Sequence, residues 1–486
     1  MEFDVTHHWR KMRTLIKNGT LITEKENRKA DLLIDGERVS LINEVITPDA
    51  DMQVVDANGL LVLPGGVDVH VHLDLPMFGT VSSDDHYTGT KAAAFGGTTT
   101  LIDFVSQNSD DLIANVNALK EKANKKATID YSFHANITHL TDEVERLIPS
   151  LADEGITSVK VFTAYNNRLR LNDGDIFRVM RVAREHGILT MLHAENGDVI
   201  DLLIKEALAA GHLTPEWHAK TRPAWGAVES VARASALAAM ADAPLYIVHM
   251  NAAGEVDQLE YAQKQGLMVF GETCPQYLFF TEDDLAKPDG AKWICSPPMR
   301  TQKDQTRLWQ GLESGIIQTI ATDHCPFFFN GTKPILYEGK PVAIPGKELG
   351  AGDFTRIPNG LPGVGDRMPV LWTEMVSSGK FSPSQFVSLT CSNPARMFGL
   401  YPQKGTLQVG SDADLVLWDP NKKVEYGVRY SQQRTDYNLY EGRQLRGYPV
   451  RVFSRGEMIV DDGQWLAKPG RGRFLARDRF DADLMR

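Results

Sequence analysis

His70 and His72 close a short apolar run, Leu60-Leu61-Val62-Leu63-Pro64-Gly65-Gly66-Val67-Asp68-Val69-His70-Val71-His72. Rich in valine, flanked by glycine and proline and too short for a helix, it reads as a buried strand of a parallel sheet. Side chains at i and i+2 of a strand leave the same face, so both imidazoles can reach one metal ion. Such a pair is weak by itself, because the chain's thirteen histidines would produce one by accident. Its weight comes from metal-capable side chains at the ends of later apolar runs: Lys160, His193, His249 and Asp323.

Each of these has an ordinary reading alone, as a hydrogen-bonded core histidine or an aspartate capping a turn. Together they do not: burying six ionisable groups side by side without a counter-ion would cost many kcal/mol, whereas metal coordination satisfies all of them. Four neutral imidazoles and a carboxylate suit zinc, or another divalent first-row metal, better than calcium or magnesium. A protonated lysine would be repelled by dications. Lys160 must therefore be deprotonated or have reacted with carbon dioxide to a carbamate, whose two oxygens could bridge two metals. Two metals about 3.5 to 4 Å apart hold hydroxide near neutral pH, so hydrolysis is the expected chemistry.

These side chains can meet only if the elements bearing them converge. Strand-like runs at 63–72, 98–105, 129–136, 158–162, 188–193, 244–249, 268–272 and 316–323 alternate with helical segments, among them 110–124, 141–154, 173–186 and 227–241. Eight strand–helix units are what a (β/α)8 barrel requires, and its active site lies at the C-terminal strand ends. An open doubly wound sheet is the runner-up, but no G-x-G-x-x-G follows a first strand. The expected fold is an α/β TIM barrel over 63–404. Short alternating runs with Asn-Gly and Asp-Gly turns fill the region up to residue 62, and similar text returns from 405 to 486. Both ends should build one smaller β-sandwich, antiparallel at its N-terminal part, with an oligomerisation tail at the C-terminal one.

Composition narrows the class. Across 486 residues the net charge is −11, with acidic and basic residues interspersed, so nucleic acid is not the expected partner. The four cysteines lie far apart without a C-x-x-C pair, as suits a reducing cytoplasm. Residues 1–10 carry charges but no apolar signal core, and no run of about eighteen apolar residues occurs, so neither secretion nor a membrane span is expected.

At these residues the chain resembles the amidohydrolase superfamily, and more narrowly its hydantoinase and dihydropyrimidinase family. The likeness rests on Gly66 to Asp74, Ser82-Ser83-Asp84-Asp85, Phe95 to Thr100, Ser158-Val159-Lys160-Val161-Phe162, His193-Ala194-Glu195-Asn196, Cys295-Ser296-Pro297-Pro298, Thr322-Asp323-His324-Cys325 and Ile357-Pro358-Asn359-Gly360. The resemblance implies a dizinc site. In it His70 and His72 bind one zinc, His193 and His249 the other, carboxylated Lys160 bridges them, and Asp323 ligates the first; Mn2+ or Co2+ are possible substitutes. It implies hydrolytic opening of a cyclic amide, with the Tyr165 hydroxyl stabilising the oxyanion and Asp323 passing the proton to the departing nitrogen. Tyr165 lies five residues past Lys160, so the barrel also carries it to the mouth. Ser296 and Asn359 match positions that bind the imide through main-chain atoms. Leu75, Met77, Phe162 and Leu169 resemble gate positions that receive the ring substituent.

The same resemblance implies a homotetramer. Dihydroorotases and allantoinases share the superfamily, and dihydroorotases need a cation for the substrate carboxylate, often an arginine directly after the second histidine. Leu73 stands there instead. Non-enzymatic relatives of the collapsin-response type lost metal ligands, whereas all six positions and Tyr165 are intact in this sequence. His86 and His324 match positions that the family does not use as ligands. The stretch 327–349 is longer than in many relatives, and its place after Asp323 suggests a lid or an oligomer contact.

Overall fold

The computed structural model describes residues 13–77, 79–337 and 339–485. Residues 1–10, whose charges bore on targeting, lie outside the described residues.

Eight strands, Gly66–Val71, Thr98–Val105, Asp130–Asn136, Ser158–Phe162, Leu189–His193, Leu245–Ile247, Val269–Thr273 and Thr319–Ile320, form one sheet whose order follows the chain. Neighbours run parallel throughout. A parallel bridge from Val71 to His324 brings the segment after the eighth strand back onto the first, and the His72 amide donates to the His324 carbonyl at 2.7 Å. This closes the expected (β/α)8 barrel. The strands are buried on both faces, which is why they read as continuous apolar text rather than alternation. Val69, Ile102, Phe104, Met191, Tyr246 and Val248 fill the interior together with Phe398 and Leu400. Helices such as Leu112–Lys126, Asp142–Asp153, Asp173–Glu185 and Gln302–Glu313 cover the outside, each opened by an Asp, Thr or Asn whose side chain accepts from an early helical amide.

Both chain ends build the smaller domain. A four-stranded sheet packs on a seven-stranded one, and Ile16, Leu32, Ile34 and Val55 of the first meet Leu21, Val62, Leu415, Leu417 and Phe453 of the second in one core. Two details differ from the sequence reading. Its N-terminal part is mixed rather than antiparallel: Arg13–Lys17 pairs in parallel with Met52–Asp56, and Thr20–Ile22 with Leu61–Pro64. Leu63 and Pro64 also do not open the first barrel strand, since Leu61–Pro64 pairs antiparallel with Leu415–Glu425. The apolar run is continuous in sequence but serves two sheets. It passes between them at Gly65, where a Cβ would fall 2.0 Å from the Thr99 hydroxyl, so only glycine allows the crossing.

Part of the C-terminal tail is used within the chain. The Tyr131 amide donates to the Arg473 carbonyl at 3.0 Å, and the Leu475 amide to the Tyr131 carbonyl at 2.7 Å. Buried Arg477 donates to Ser132 and Ser158. The long stretch after Asp323 forms a hairpin, Lys333–Tyr337 with Lys340–Ile344. Its Ile335 and Ile344 cluster with Phe328, Val81 and Tyr337, so it leans on the short hairpin Pro76–Met77/Thr80–Val81. Among the described residues no helix is long and apolar enough to cross a membrane.

Candidate active site

The C-terminal strand ends bring together all six side chains singled out in the sequence. Nε2 of His70 lies 2.9 Å from Nζ of Lys160 and 3.2 Å from Oδ1 of Asp323. Nε2 of His72 lies 3.0 Å from that same Asp323 oxygen. Across the site Nδ1 of His193 faces Nε2 of His249 at 3.0 Å. Donor atoms of His70, His72 and Asp323 all fall within 4.8 Å of one another, a group able to hold a metal ion.

The donor chemistry fits such an ion. Burial, with the Lys160 charge beside it, pushes His70 well below the ordinary imidazole range. Burial and His193 do the same to His249, and His193 is lowered mainly by burial. These are neutral imidazoles with lone pairs turned toward one small volume. Burial would raise the Asp323 carboxyl, but His70, His72 and His249 outweigh it and hold the group well below the carboxylate range. Lys160 is buried against the rings of Phe104 and Phe162, 4.3 and 5.4 Å from its nitrogen, with no ion pair among the described residues. Burial draws its pKa down to about 8. An amine partly neutral near physiological pH is a nucleophile toward carbon dioxide.

Backbone strain gathers here. His249, Asp323 and Tyr165 have φ values of 40°, 52° and 67°, a left-handed region costing non-glycine residues of order 1–3 kcal/mol each. Neighbours hold each turn. The Thr322 hydroxyl donates to Asp68 at 2.7 Å on one side of Asp323, and His324 on the other lies 3.2 Å from Asp84. The Tyr165 carbonyl accepts the amides of Arg168, Leu169 and Arg170 at 3.1, 3.0 and 3.3 Å.

Two carboxylates went unassigned in the sequence reading. Oε1 of Glu272 lies 2.7 Å from Nδ1 of His70 and accepts the His249 amide at 3.0 Å. Oε2 of Glu195 lies 2.9 Å from Nε2 of His193 and accepts from Arg222 at 3.0 Å. Each takes one ring nitrogen, so the other is turned inward. Their signal was present: Glu272 stands at the end of the seventh strand, where no role had been given, and Glu195 two residues past His193.

Beside these groups opens a cavity of about 290 Å³. Leu75, Met77, Phe162, Tyr165, Leu169, Ser296 and Asn359 all line it, together with Phe104, Arg168, Cys295 and Gly360. Burial pushes the Tyr165 phenol well above its usual pKa, so it remains a hydrogen-bond donor. Asn359 donates from Nδ2 to the Ser296 hydroxyl at 3.1 Å. None of the described residues of 327–349 lines the cavity, so of the lid or oligomer contact expected there, the lid is not formed among them. The segment instead acts from behind: buried Lys347 donates to the carbonyls of Ile294 and Pro358, both at 3.0 Å, tying the chain before Ser296 to the chain before Asn359. His86 and His324 also stay outside the cavity. His86 sits between Asp74 at 3.1 Å and Asp103 at 3.2 Å, under the loop that carries Leu75 and Met77.

The profile of the Amidohydrolase family matches residues 61–459. A D-hydantoinase of Geobacillus stearothermophilus is 43% identical over 475 residues, covering 97% of this chain and 98% of that one. A D-phenylhydantoinase of Escherichia coli O9:H4 (strain HS) is 41% identical over 472 residues, covering 96% and 99%. The crystal structure of dihydropyrimidinase from Brevibacillus agri NCHU1002 superposes with a TM-score of 0.92 at 45% identity, covering 97% of this chain and all of that one.

Proposed function

Given that the chain belongs to the amidohydrolase family, we propose that it is a metal-dependent cyclic amidase opening 5-substituted hydantoins, dihydropyrimidines or both to N-carbamoyl amino acids. The observation that carries this reading is that His72, Lys160, His193, His249 and Asp323 line one cavity together with Tyr165, while buried His70 lies directly behind them against Lys160 and Asp323.

His70 and His72 with Asp323 would hold one zinc ion, His193 and His249 the second, and carboxylated Lys160 would join them, with manganese or cobalt as possible substitutes. Bound ions of this kind supply hydroxide near neutral pH and polarise a carbonyl. The rest falls to the protein. As the C–O bond forms at the ring carbonyl and the C–N bond breaks, Asp323 takes the proton released from water and delivers it to the departing nitrogen. The protonated Tyr165 phenol donates to the carbonyl oxygen as charge develops there. Main-chain groups at Ser296 and Asn359 hold the imide, while Leu75, Met77, Phe162 and Leu169 enclose the substituent and keep water from it.

The chain is proposed to act as a cytoplasmic homotetramer on small molecules. A reducing compartment agrees with the free, buried state of Cys274, Cys295, Cys325 and Cys391. The test is metal analysis of the purified protein combined with hydrolysis assays on dihydrouracil, dihydrothymine, hydantoin, phenylhydantoin, allantoin and dihydroorotate. Turnover of the first four by metal-loaded protein is expected. Absence of bound metal after careful reconstitution, or of turnover on every cyclic amide, would overturn the reading.

A further inference from the structure

We infer that Arg168 makes the cavity selective for ring substituents that carry a carboxylate. The inference rests on the cyclic amidase reading and concerns the outer half of the same cavity.

The wall around the proposed substituent position is apolar, built by Leu75, Met77, Phe162 and Leu169. Arg168 interrupts it: it lines the cavity, and it is exposed where Lys160, His193 and His249 are buried, which places its guanidinium at the rim rather than the floor. A substituent pointing away from the reacting carbonyl ends at that rim.

Among the described residues no ion pair or side-chain hydrogen bond engages the Arg168 guanidinium, although most arginines nearby are paired. Arg170 is bonded to Asp198 and to Asn166, Arg222 to Glu195, and Arg300 to Asn251. Its backbone is not free to swing away. The amides of Arg168, Leu169 and Arg170 all close on the Tyr165 carbonyl, with Tyr165 and Asn167 both in left-handed conformations at φ 67° and 60°. One tight turn thus presents the phenol toward the reacting carbonyl and the guanidinium toward whatever leaves the ring on the open side.

An unpaired guanidinium beside apolar surface is an anion receptor with a built-in fork for a carboxylate. The carbon chain of an acidic substituent would lie along Leu169 and Phe162, and its terminal carboxylate would meet Arg168. The substrate class is a hydantoin or dihydropyrimidine bearing a short carboxyalkyl arm, and the product an N-carbamoyl acidic amino acid. The usual position for a carboxylate-binding arginine in dihydroorotases, directly after the second metal-binding histidine, is Leu73 here. Arg168 approaches the cavity from a different strand.

The experiment compares a hydantoin carrying a carboxyethyl group at C5 with its neutral propyl analogue, on metal-loaded wild type, Arg168→Met and Arg168→Lys. The measured quantity is the acid-to-neutral ratio of kcat/KM, taken at low and high salt. The ratio is expected to fall roughly tenfold in Arg168→Met, to be partly restored in Arg168→Lys, and to fall with salt in wild type. An equal ratio in wild type and Arg168→Met would overturn the assignment, as would turnover of the propyl compound alone by wild type. Turnover of neither compound by protein that opens dihydrouracil or hydantoin would overturn it as well, whereas failure on those rings too would overturn the amidase reading itself.

Discussion

Glu272 grips His70 from behind: its Oε1 lies 2.7 Å from Nδ1, while Nε2 on the far side of the ring faces Lys160 at 2.9 Å. Both Glu272 and His70 are wholly buried. The carboxylate fixes the tautomer and the plane of the ring, and its second oxygen is in turn held by the Tyr246 hydroxyl at 3.0 Å.

Replacing Glu272 by Gln keeps the volume but removes the acid group behind His70. Metal affinity should fall roughly 10- to 100-fold, with turnover recovering when metal is added in excess. Competition with a chromophoric chelator measures it. Wild-type affinity in the variant would show that Glu272 does not orient the site.

Lys160 should carry one carbon dioxide. Native mass spectrometry is expected to show that added mass on metal-loaded protein and its loss on acidification, because a carbamate decomposes when protonated. Lys160→Ala should lose bound metal and roughly a thousandfold or more in kcat/KM, with partial rescue by short carboxylic acids that stand in for the missing oxygens. Full turnover in the alanine variant would refute the proposed bridge.

Lys347 ties the two chain segments that precede Ser296 and Asn359, and burial draws its amine down to about 7. Lys347→Met removes that tie. The Ile294 carbonyl still accepts the Gly360 amide at 3.0 Å, so folding should survive. KM is expected to rise roughly tenfold with a smaller change in kcat, since substrate positioning is loosened while the reacting groups stay in place. Unchanged KM would assign the lysine to stability alone.

His86 links the loop after the first barrel strand to pH. Burial would lower its pKa, but hydrogen bonds and charge from Asp103 and Asp74 overcome it and raise the group to about 9. Lys126 also faces Asp74, at 3.2 Å. The folded chain therefore keeps a proton that the unfolded chain gives up near pH 6.5. The resulting stabilisation, of order 3 kcal/mol, is complete below about pH 6.5 and lost as pH rises to about 9. Denaturant unfolding of wild type and His86→Gln from pH 6 to 10 should show the difference between them shrinking across that window. A constant difference would contradict the pairing.

The barrel was legible because its strands are buried on both faces and its helices are amphipathic, two patterns written in neighbouring residues. The ligand-type residues were legible because they end those strands. The border between the domains was less so. The apolar run through Leu63 and Pro64 continues into Val67 and Val69, and only the pairing of Leu63 with Val416 shows where one sheet stops. The stretch after Asp323 read as a lid or an oligomer contact from its position, whereas within the chain its hairpin leans on Val81 and its contribution to the site is Lys347. Nothing in a loop's composition tells which neighbour it will meet.

By itself the sequence determined the residue types at the strand ends, the strand–helix alternation that brings those ends together, and hence a metal-dependent hydrolytic site. Residue type and period are local properties, so one chain read in order suffices for them. Tertiary structure alone decided which nitrogen of each imidazole faces inward, that Glu272 stands behind His70 across 202 residues of chain, and that Arg168 has no counter-ion among the described residues while Arg170 pairs with Asp198. Those outcomes depend on distances between groups that only the closed barrel sets, and on burial, which turns a short distance into a strong electrostatic constraint.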